Sequence, residues 1–162
     1  GYNAKDSKFI NFIDTIKDGD LLVVNDSKVV PVKLEGKINS SNVLITLFKK
    51  INKNNWLAFA KPGKKCKISE EIVFSDNVAC KVLKKNDYGI KVEFNCSDKQ
   101  LNKYILENGL IPLPPYIKRK ENNFNDYVNY QTIFAKNSGS IAAPTAGLHF
   151  DQIILAKLKQ KK

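Results

Sequence analysis

Val43-Leu-Ile-Thr-Leu-Phe48 is the clearest of six short runs, rich in β-branched and aromatic residues, that lie between residues 29 and 95. Turn residues separate these runs, and Glu35-Gly36 and Pro62-Gly63 are two of the separators. Apolar and polar residues alternate within several runs, and no helical period fits inside the stretch. We therefore predict a small antiparallel barrel or sandwich of about six strands. The predicted strands are Val29–Leu34, Val43–Phe48, Trp56–Ala60, Glu71–Phe74, Ala79–Leu83 and Ile90–Phe94.

The residues before this stretch predict a helix followed by a buried strand. Apolar residues recur at helical spacing over 5–18, and Gly19 then ends the pattern. The run Asp20-Leu-Leu-Val-Val-Asn25 is short, continuous and apolar, as in a strand that is buried on both faces. We expect its polar end to deliver side chains to a site. The apolar residues of the predicted helix are Phe9, Phe12, Ile13 and Ile16.

The residues after the stretch return to helical patterns. Ser97 with Gln100 three residues later is a capping-box signature, which predicts a helix over 98–108. The prolines between Ile111 and Tyr116 exclude both helix and central strand, so this segment is predicted to be a stiff connector. A short helix is predicted over 124–136, and a final helix follows Phe150 with Asp151 as its cap.

The order of these patterns predicts an α+β chain of two units. Residues 32–112 form an inserted β-barrel domain, and the flanking segments 1–31 and 113–162 form an α/β domain, an open mixed sheet with helices. The first helix has no strand before it, and nothing is predicted to pack after the last helix. We therefore expect both ends of the sequence to lie within a larger domain.

Composition and charge limit the class of protein. Of the 162 residues 43% are hydrophobic, and no apolar run approaches the roughly 18–20 residues of a membrane-spanning helix, which favours a soluble, cytoplasmic protein without a membrane partner. The 27 basic and 16 acidic residues give a net charge of +11, which indicates a polyanionic partner such as nucleic acid. The lysine-rich end contributes to this surplus and is also typical of a solvated helix tail.

The cysteines do not predict a metal site. Cys66, Cys80 and Cys96 lie far apart in the sequence, and the chain has one histidine. This pattern disfavours both a zinc cage and a disulfide framework. We expect three buried thiols and no metal.

Three segments of the chain resemble one family of tRNA-modifying enzymes. Gly19–Gly36 is similar to the strand and turn that enter the family's inserted barrel, and Ile111-Pro-Leu-Pro-Pro-Tyr-Ile-Lys-Arg119 is similar to the connector that leaves it. Tyr130-Gln-Thr-Ile-Phe134 and Gly139-Ser-Ile-Ala-Ala-Pro-Thr-Ala-Gly-Leu-His-Phe150 together resemble its most recognisable block. The family is that of the S-adenosylmethionine:tRNA ribosyltransferase-isomerases of queuosine biosynthesis. One departure is Lys28, which stands where the family usually has arginine.

The resemblance implies an unusual transferase and isomerase reaction. The family moves the ribosyl group of S-adenosylmethionine, its donor substrate, onto the aminomethyl group of a 7-deazaguanine at the wobble position of tRNA. The ribosyl group isomerises to an epoxycyclopentane, which gives epoxyqueuosine-tRNA and releases adenine and methionine. The implied fold is an α/β domain with a small inserted β-barrel. Because the family's N-terminal segment and downstream blocks are absent, we expect this chain to be inactive alone and a second chain or segment to supply the rest.

Two residues are candidates for catalysis within this resemblance. Arg119 is the only arginine, and a planar guanidinium binds phosphate or carboxylate through two parallel hydrogen bonds, which lysine cannot copy. His149 is the only histidine, and imidazole suits removal of a proton beside the sulfonium or protonation of the leaving adenine. The structural alternatives are a salt bridge for Arg119 and a hydrogen-bonded packing role for His149.

Nine further residues are candidates for substrate binding. A turn of small residues before the last helix lets backbone N–H groups approach an anionic ligand, unless it is simply a tight turn. Three aromatic residues offer rings for a sulfonium or a purine, or else belong to the core. Two polar residues at the end of the predicted strand either bind ribose hydroxyls or begin a turn. In that order, the candidates are Pro144, Thr145, Ala146 and Gly147; Tyr116, Tyr130 and Phe150; and Asn25 and Ser27.

Two other interpretations remain open. A lysine-rich barrel also fits a non-enzymatic RNA-binding module, although the motif Pro144–Phe150 favours an enzyme. The chain also fits the product of a split or degenerate gene. An uninterrupted reading frame after codon 162 that encodes the missing blocks would favour the enzyme.

Overall fold

The computed structural model describes residues 6–75, 77–117 and 126–161. The chain divides into two compact units, Gly1–Val29 with Asn125–Lys162 and Val30–Phe124. The predicted domain boundaries after residues 31 and 112 concern the complete family fold, and they remain predictions. In chain order, the helices and strands are α1 (Phe12–Thr15), β1 (Ser27–Val29), β2 (Lys33–Ile38), β3 (Ser41–Lys50), β4 (Asn55–Lys61), β5 (Glu71–Ser75), β6 (Val78–Asn86), β7 (Gly89–Phe94), α2 (Asp98–Asn108), α3 (Asp126–Asn129), β8 (Asn137–Ser140) and α4 (Gln152–Gln160).

The second unit is built on a closed antiparallel barrel with the strand order β2-β3-β4-β7-β6-β5. Alternate residues of each strand point inward, so the interior is filled by aliphatic side chains and one large ring. This confirms the predicted six-stranded barrel and excludes an open sandwich. The largest fully buried residues of the strands are Phe94, Leu34, Ile45, Leu47, Ile72, Val43, Val82 and Val92.

The first barrel strand differs from its prediction. Val29 belongs to β1 in the other unit, and β2 begins only after Pro31, which has no N–H to donate to a strand ladder. The predicted turn at Glu35-Gly36 is wrong, because both residues lie within β2. A Cβ on Gly36 would lie 2.8 Å from side-chain atoms of Ile72 and Phe74, so the glycine makes room for close packing. A 3-10 turn at Gly63–Lys65 lies between β4 and β5. In the described part of the chain, no α-helix lies between residues 40 and 95.

We expect Gly36→Ala to destabilise the barrel by about 1–3 kcal/mol, because the added methyl group overpacks the contact with Ile72 and Phe74. The matched control is Gly63→Ala, since a Cβ on Gly63 meets no atom within 4 Å. Urea unfolding followed by the fluorescence of Trp56, the single tryptophan and a β4 residue, measures the effect on the barrel. Equal midpoints for the two variants would contradict this explanation of Gly36.

The first unit contains a parallel pair of strands, β1 and β8, in which Ser27 lies opposite Asn137. The side chain of Gln131 continues this ladder, because its Oε1 accepts from Val29 N–H at 2.9 Å and its Nε2 donates to Val29 C=O at 2.8 Å. The carbonyl of Asp26 accepts from the N–H groups of Lys136 and Asn137. With the barrel, this parallel sheet and its helices confirm the predicted α+β class.

The predicted helix over 5–18 is wrong in length. Helical backbone covers a 3-10 turn at Phe9–Asn11 and the single turn α1, and Ile16 is already extended. Among the residues that the structure describes, no side chain caps the beginning of α1. The chain then turns between Lys17 and Asp20, where Asp20 Oδ2 accepts from Lys17 N–H at 2.8 Å and Gly19 has a φ of +87°. The local polar contact between Asp20 and Lys17 therefore determines the backbone conformation here, although the apolar residues have helical spacing.

The predicted buried strand over Asp20–Asn25 is also wrong. The segment forms no strand, and Leu21 and Val23 are 87% and 82% exposed, whereas Leu22 and Val24 are 39% and 42% exposed. An apolar run becomes a buried strand only where neighbouring strands accept its hydrogen bonds and another layer covers it. Among the described residues, no strand pairs with this segment.

The later helices follow their predictions more closely. Ser97 and Gln100 form the predicted capping box at α2, and Asp151 Oδ1 accepts from Ile154 N–H at 2.7 Å at the start of α4. The helix predicted over 124–136 is shorter, because α3 has only four residues. Ile111–Tyr116 contains no helix or strand. None of the helices in the described part is both long and apolar enough to cross a membrane.

The three cysteines are free thiols buried in the structure, as predicted. Burial raises the pKa of the Cys80 thiol far above its usual range, so this sulfur stays protonated at neutral pH. Over residues 6–75, 77–117 and 126–161, no group of three histidine, cysteine or carboxylate side chains is arranged to hold a metal ion.

Candidate functional site

The motif at residues 144–150 ends in an aromatic cluster in the first unit. The ring of Phe150 makes edge contacts with Phe9, Phe12 and Phe134, at centroid distances of 5.1, 5.9 and 5.3 Å. Phe9 and Phe12 stack at 5.6 Å. The segment with Phe9 and Phe12 and the segment with Phe134 therefore both contact Phe150. This cluster fixes the position of the turn that precedes it.

The small-residue motif forms the 3-10 helix Thr145–His149 rather than an open turn. Gly147 N–H donates to Pro144 C=O at 2.8 Å, and Phe150 N–H donates to Gly147 C=O at 3.2 Å. No side chain of the described residues caps the helix, so the N–H groups of Thr145 and Ala146 have no side-chain acceptor. Both residues are exposed, as a contact with an anionic ligand requires.

Gly147 is the point at which this helix approaches the rest of its unit. A Cβ there would lie 2.8 Å from Thr132 Cγ2 and 3.8 Å from Phe134 Cδ2. Thr132 is 5% exposed, and its hydroxyl finds no hydrogen-bond partner among the described residues. A buried hydroxyl without a partner is costly, which makes it a candidate for contact with a bound group. Thr132 was not predicted as a site residue from the sequence, although it lies inside the segment Tyr130–Phe134.

His149 is exposed at the end of the 3-10 helix, beside the aromatic cluster. Its ring lies 5.2 Å from that of Phe9, measured between centroids, with an interplanar angle of 34°. One face of the imidazole is thus supported by an apolar ring while the side chain stays accessible. An accessible, supported imidazole can exchange protons with a bound substrate.

The other predicted residues lie outside this cluster or in different environments. Asn25 Oδ1 accepts from Ser27 N–H at 2.8 Å, so Asn25 begins a turn at the start of β1. Tyr130 is 7% exposed and belongs to the core of the first unit. Tyr116 lies in the barrel unit and is 76% exposed. Arg119 lies outside the described residues.

The barrel also has a separate open pocket with a volume of about 1040 Å³. Acidic and basic side chains both line it, including Glu35, Lys37, Glu71 and Lys61. This mixture favours neither an anionic nor a cationic ligand. We therefore take the motif at residues 144–150, with Thr132 and Phe9, as the candidate site.

A family model described as "Queuosine biosynthesis protein" matches residues 2–162, which is nearly the whole sequence. The chain belongs to this family. The resemblance drawn from the three quoted segments is thereby confirmed. The roles of the individual site residues remain predictions.

Curated relatives carry a more specific name. The protein of Thermosipho melanesiensis, an S-adenosylmethionine:tRNA ribosyltransferase-isomerase, is 40% identical in an alignment of 166 positions that covers 98% of this chain and 47% of the relative. A Rickettsia bellii protein of the same name is 39% identical in an alignment of 171 positions that covers 96% of this chain and 47% of the relative. The chain spans about half the length of the curated relatives it matches.

A solved structure is also similar. The S-adenosylmethionine tRNA ribosyltransferase of Thermotoga maritima shares 25% identity with a TM-score of 0.44, and the match covers 94% of this chain and 41% of that protein. Here too, the queuosine biosynthesis chain corresponds to less than half of the matched protein.

Proposed function

We propose that this chain forms part of an S-adenosylmethionine:tRNA ribosyltransferase-isomerase that converts a 7-aminomethyl-7-deazaguanine in tRNA to epoxyqueuosine. In this reaction the ribosyl group of S-adenosylmethionine is transferred and isomerised, and adenine and methionine leave. The observation that carries the proposal is the geometry of residues 144–150, in a chain that the family model matches throughout. Two uncapped N–H groups and an accessible histidine lie on one short helix, held by the cluster around Phe150.

His149 is proposed to move a proton in this reaction. The imidazole is accessible and supported by Phe9, so it can accept the proton beside the sulfonium or donate one to the departing adenine. The N–H groups of Thr145 and Ala146 are proposed to bind an anionic group of a substrate, with Pro144 and Gly147 fixing the backbone.

Each of the remaining predicted residues has its own proposed role in substrate binding or in packing. Arg119 is proposed to bind phosphate or carboxylate through its planar guanidinium. Phe150 is proposed to support the site through its ring contacts, whereas the burial of Tyr130 favours a packing role. Asn25 and Ser27 are proposed to contact ribose hydroxyls through the groups that their turn leaves available, and Tyr116 to offer its exposed ring.

The active enzyme is proposed to need protein beyond this chain. The chain spans about half of its curated relatives, and the exposed apolar segment Leu21–Val24 precedes β1 of the parallel pair in the sequence. A further strand of the family fold, in the same polypeptide or in a second chain, would cover this segment and accept its hydrogen bonds. The segment is therefore proposed as the place where the rest of the sheet joins.

The proposed reaction also predicts the partner, the cosubstrate and the cellular location of the enzyme. A tRNA partner agrees with the net charge of +11 and with the names of the relatives. We propose that the enzyme acts in the cytoplasm, that S-adenosylmethionine is its ribosyl donor, and that it uses no metal.

A chimaera tests the proposed function. In this chimaera, the chain replaces the aligned region of the Thermosipho melanesiensis relative, so that every part of the family fold is present. We expect adenine release that requires both S-adenosylmethionine and tRNA carrying the precursor base. A folded chimaera that binds tRNA but releases no adenine would favour the RNA-binding module instead. The supporting observation for that module is that, among the described residues, the barrel lysines other than Lys50 form no ion pair.

A further inference from the structure

The β6–β7 hairpin and the adjacent strands of the barrel form an exposed surface with both aromatic and basic side chains. We define this hairpin surface by Phe48, Phe59, Lys84, Tyr88 and Lys91. All of these residues except Phe59 line a depression of about 170 Å³ whose walls are mostly apolar, and Phe59 stacks on Phe48. The whole surface lies in the barrel unit and includes none of the residues of the candidate site.

Aromatic rings are exposed here without being needed for the core. Tyr88 is 82% exposed at the tip of the hairpin, where Asn86 Oδ1 accepts from its N–H at 3.0 Å and fixes the turn. Phe59 is 50% exposed and stacks on Phe48 at a centroid distance of 4.4 Å. A Cβ on Gly89 would lie 3.7 Å from the Phe48 ring, so this stacked pair lies next to the hairpin. The Phe48–Phe59 pair is thus held by stacking, whereas the ring of Tyr88 faces solvent from a hydrogen-bonded turn.

The charge on the same surface is unbalanced. Lys84 and Lys91 lie directly opposite each other on β6 and β7. Like charges in such a cross-strand pair repel and weaken the sheet. Within the described ranges, neither lysine forms an ion pair with a carboxylate. Lys85 adds a further positive charge where its Nζ donates to Gly63 C=O. The nearest acidic residues in sequence are Asp87 in the hairpin turn and Glu93 on β7, and Glu93 lies opposite Lys81.

We propose that the hairpin surface binds unpaired nucleotides of a tRNA loop. The two opposed lysines would contact the phosphates, and Tyr88 and Phe59 would stack on bases that are free to leave a helical stack. This inference rests on the proposed function for the identity of the RNA. It adds a binding surface on the inserted barrel, apart from the residues proposed for chemistry.

The combination of groups distinguishes an RNA loop from other anionic partners. A duplex offers phosphates but keeps its bases stacked, so it would engage the lysines and not the rings. An acidic protein segment offers carboxylates without planar bases. The exposed rings beside the lysine pair therefore favour a single-stranded nucleic acid over both.

Binding by the 162-residue chain tests the proposal, because the hairpin surface lies within one unit of that chain. The probes are a fluorescent tRNA anticodon stem-loop, a blunt RNA duplex of equal length and polyglutamate, each titrated between about 50 and 200 mM salt. Lys84→Gln/Lys91→Gln is compared with Lys99→Gln/Lys103→Gln on α2, which removes the same charge elsewhere on the barrel unit. Tyr88→Ala is compared with Tyr88→Phe. Trp56 fluorescence verifies that each variant is folded.

We expect the Lys84/Lys91 variant to weaken stem-loop binding about tenfold or more and to lower the salt slope by about 1–2. The α2 control should change the affinity by less than about threefold. Tyr88→Ala should weaken stem-loop binding about tenfold with an unchanged salt slope, whereas Tyr88→Phe should retain binding and the duplex should be unaffected.

Equal losses in the two lysine variants, or an unchanged affinity in Tyr88→Ala, would overturn the proposal. Polyglutamate binding that depends equally on Tyr88 would overturn it too, by showing a general polyanion surface. These outcomes leave adenine release by the chimaera untouched, so failure of the hairpin surface is separable from failure of the proposed function.

Discussion

In the chimaera, His149→Ala is expected to lower the rate of adenine release by about 10²–10⁴-fold, the range in which a positioned acid or base contributes to proton transfer. The imidazole is accessible at the end of the 3-10 helix and rests against Phe9, so its loss removes the proton carrier without removing the aromatic cluster around Phe150. His149→Gln should lose activity to a similar extent, because an amide cannot exchange a proton in this pH range.

Kinetics separate this role from a structural one. If His149 moves a proton, kcat falls while the KM values for both substrates change little. The control is Lys157→Ala on the exposed side of α4, which should retain full activity. A His149→Gln chimaera within about fivefold of the parent rate would contradict the assignment and make the residue a packing neighbour of Phe9.

The second large effect is expected from the exposed apolar segment. Leu21→Asp/Val23→Asp should leave the 162-residue chain folded, because both side chains are more than 80% exposed there. In the chimaera the same change should abolish adenine release. Covering the segment with a further strand would bury two unpaired carboxylates, which costs several kcal/mol per charge.

The matched control is Ile68→Asp/Leu106→Asp, which introduces the same charges at apolar residues that are 60% and 70% exposed in the barrel unit. The comparison uses the adenine release rate and the thermal unfolding midpoint of each chimaera. An active Leu21/Val23 variant, or equal damage from both pairs, would contradict the proposed joining point.

The barrel could be predicted from the sequence because its information is local. Apolar residues alternate along each strand, as in Val43, Ile45 and Leu47, and the turns between strands carry asparagine, glycine or proline. Gly36 shows the limit of that reasoning. It resembles a turn residue in the sequence, yet it lies in a strand because Phe74 occupies the space of its missing side chain.

The flanking segments could not be predicted equally well, because their structure depends on neighbours. The Asp20–Asn25 run has the composition of a central strand, but composition does not state whether a partner strand is present. In the helix predicted over 5–18, the contacts of Asp20 with Lys17 outweighed the spacing of the apolar residues. Such short polar contacts are weak signals in a single sequence.

The candidate site was predicted in part. The motif at residues 144–150 identified the helix that carries Thr145, Ala146 and His149. The sequence did not reveal that Phe9 supports His149 or that the Thr132 hydroxyl is buried against Gly147. The contact of Phe9 with His149 joins segments that are more than a hundred residues apart, and the contact of Thr132 with Gly147 joins two separate segments. No local sequence pattern encodes such contacts.

Adenine release from S-adenosylmethionine in the presence of precursor tRNA is the decisive measurement for the proposed function. The proposal is that residues 1–162 hold one side of a ribosyltransferase-isomerase site and need the rest of the family fold for turnover. We expect release by the chimaera and none above background by the isolated chain. Release by the isolated chain, or a folded chimaera that binds both substrates without releasing adenine, would contradict it.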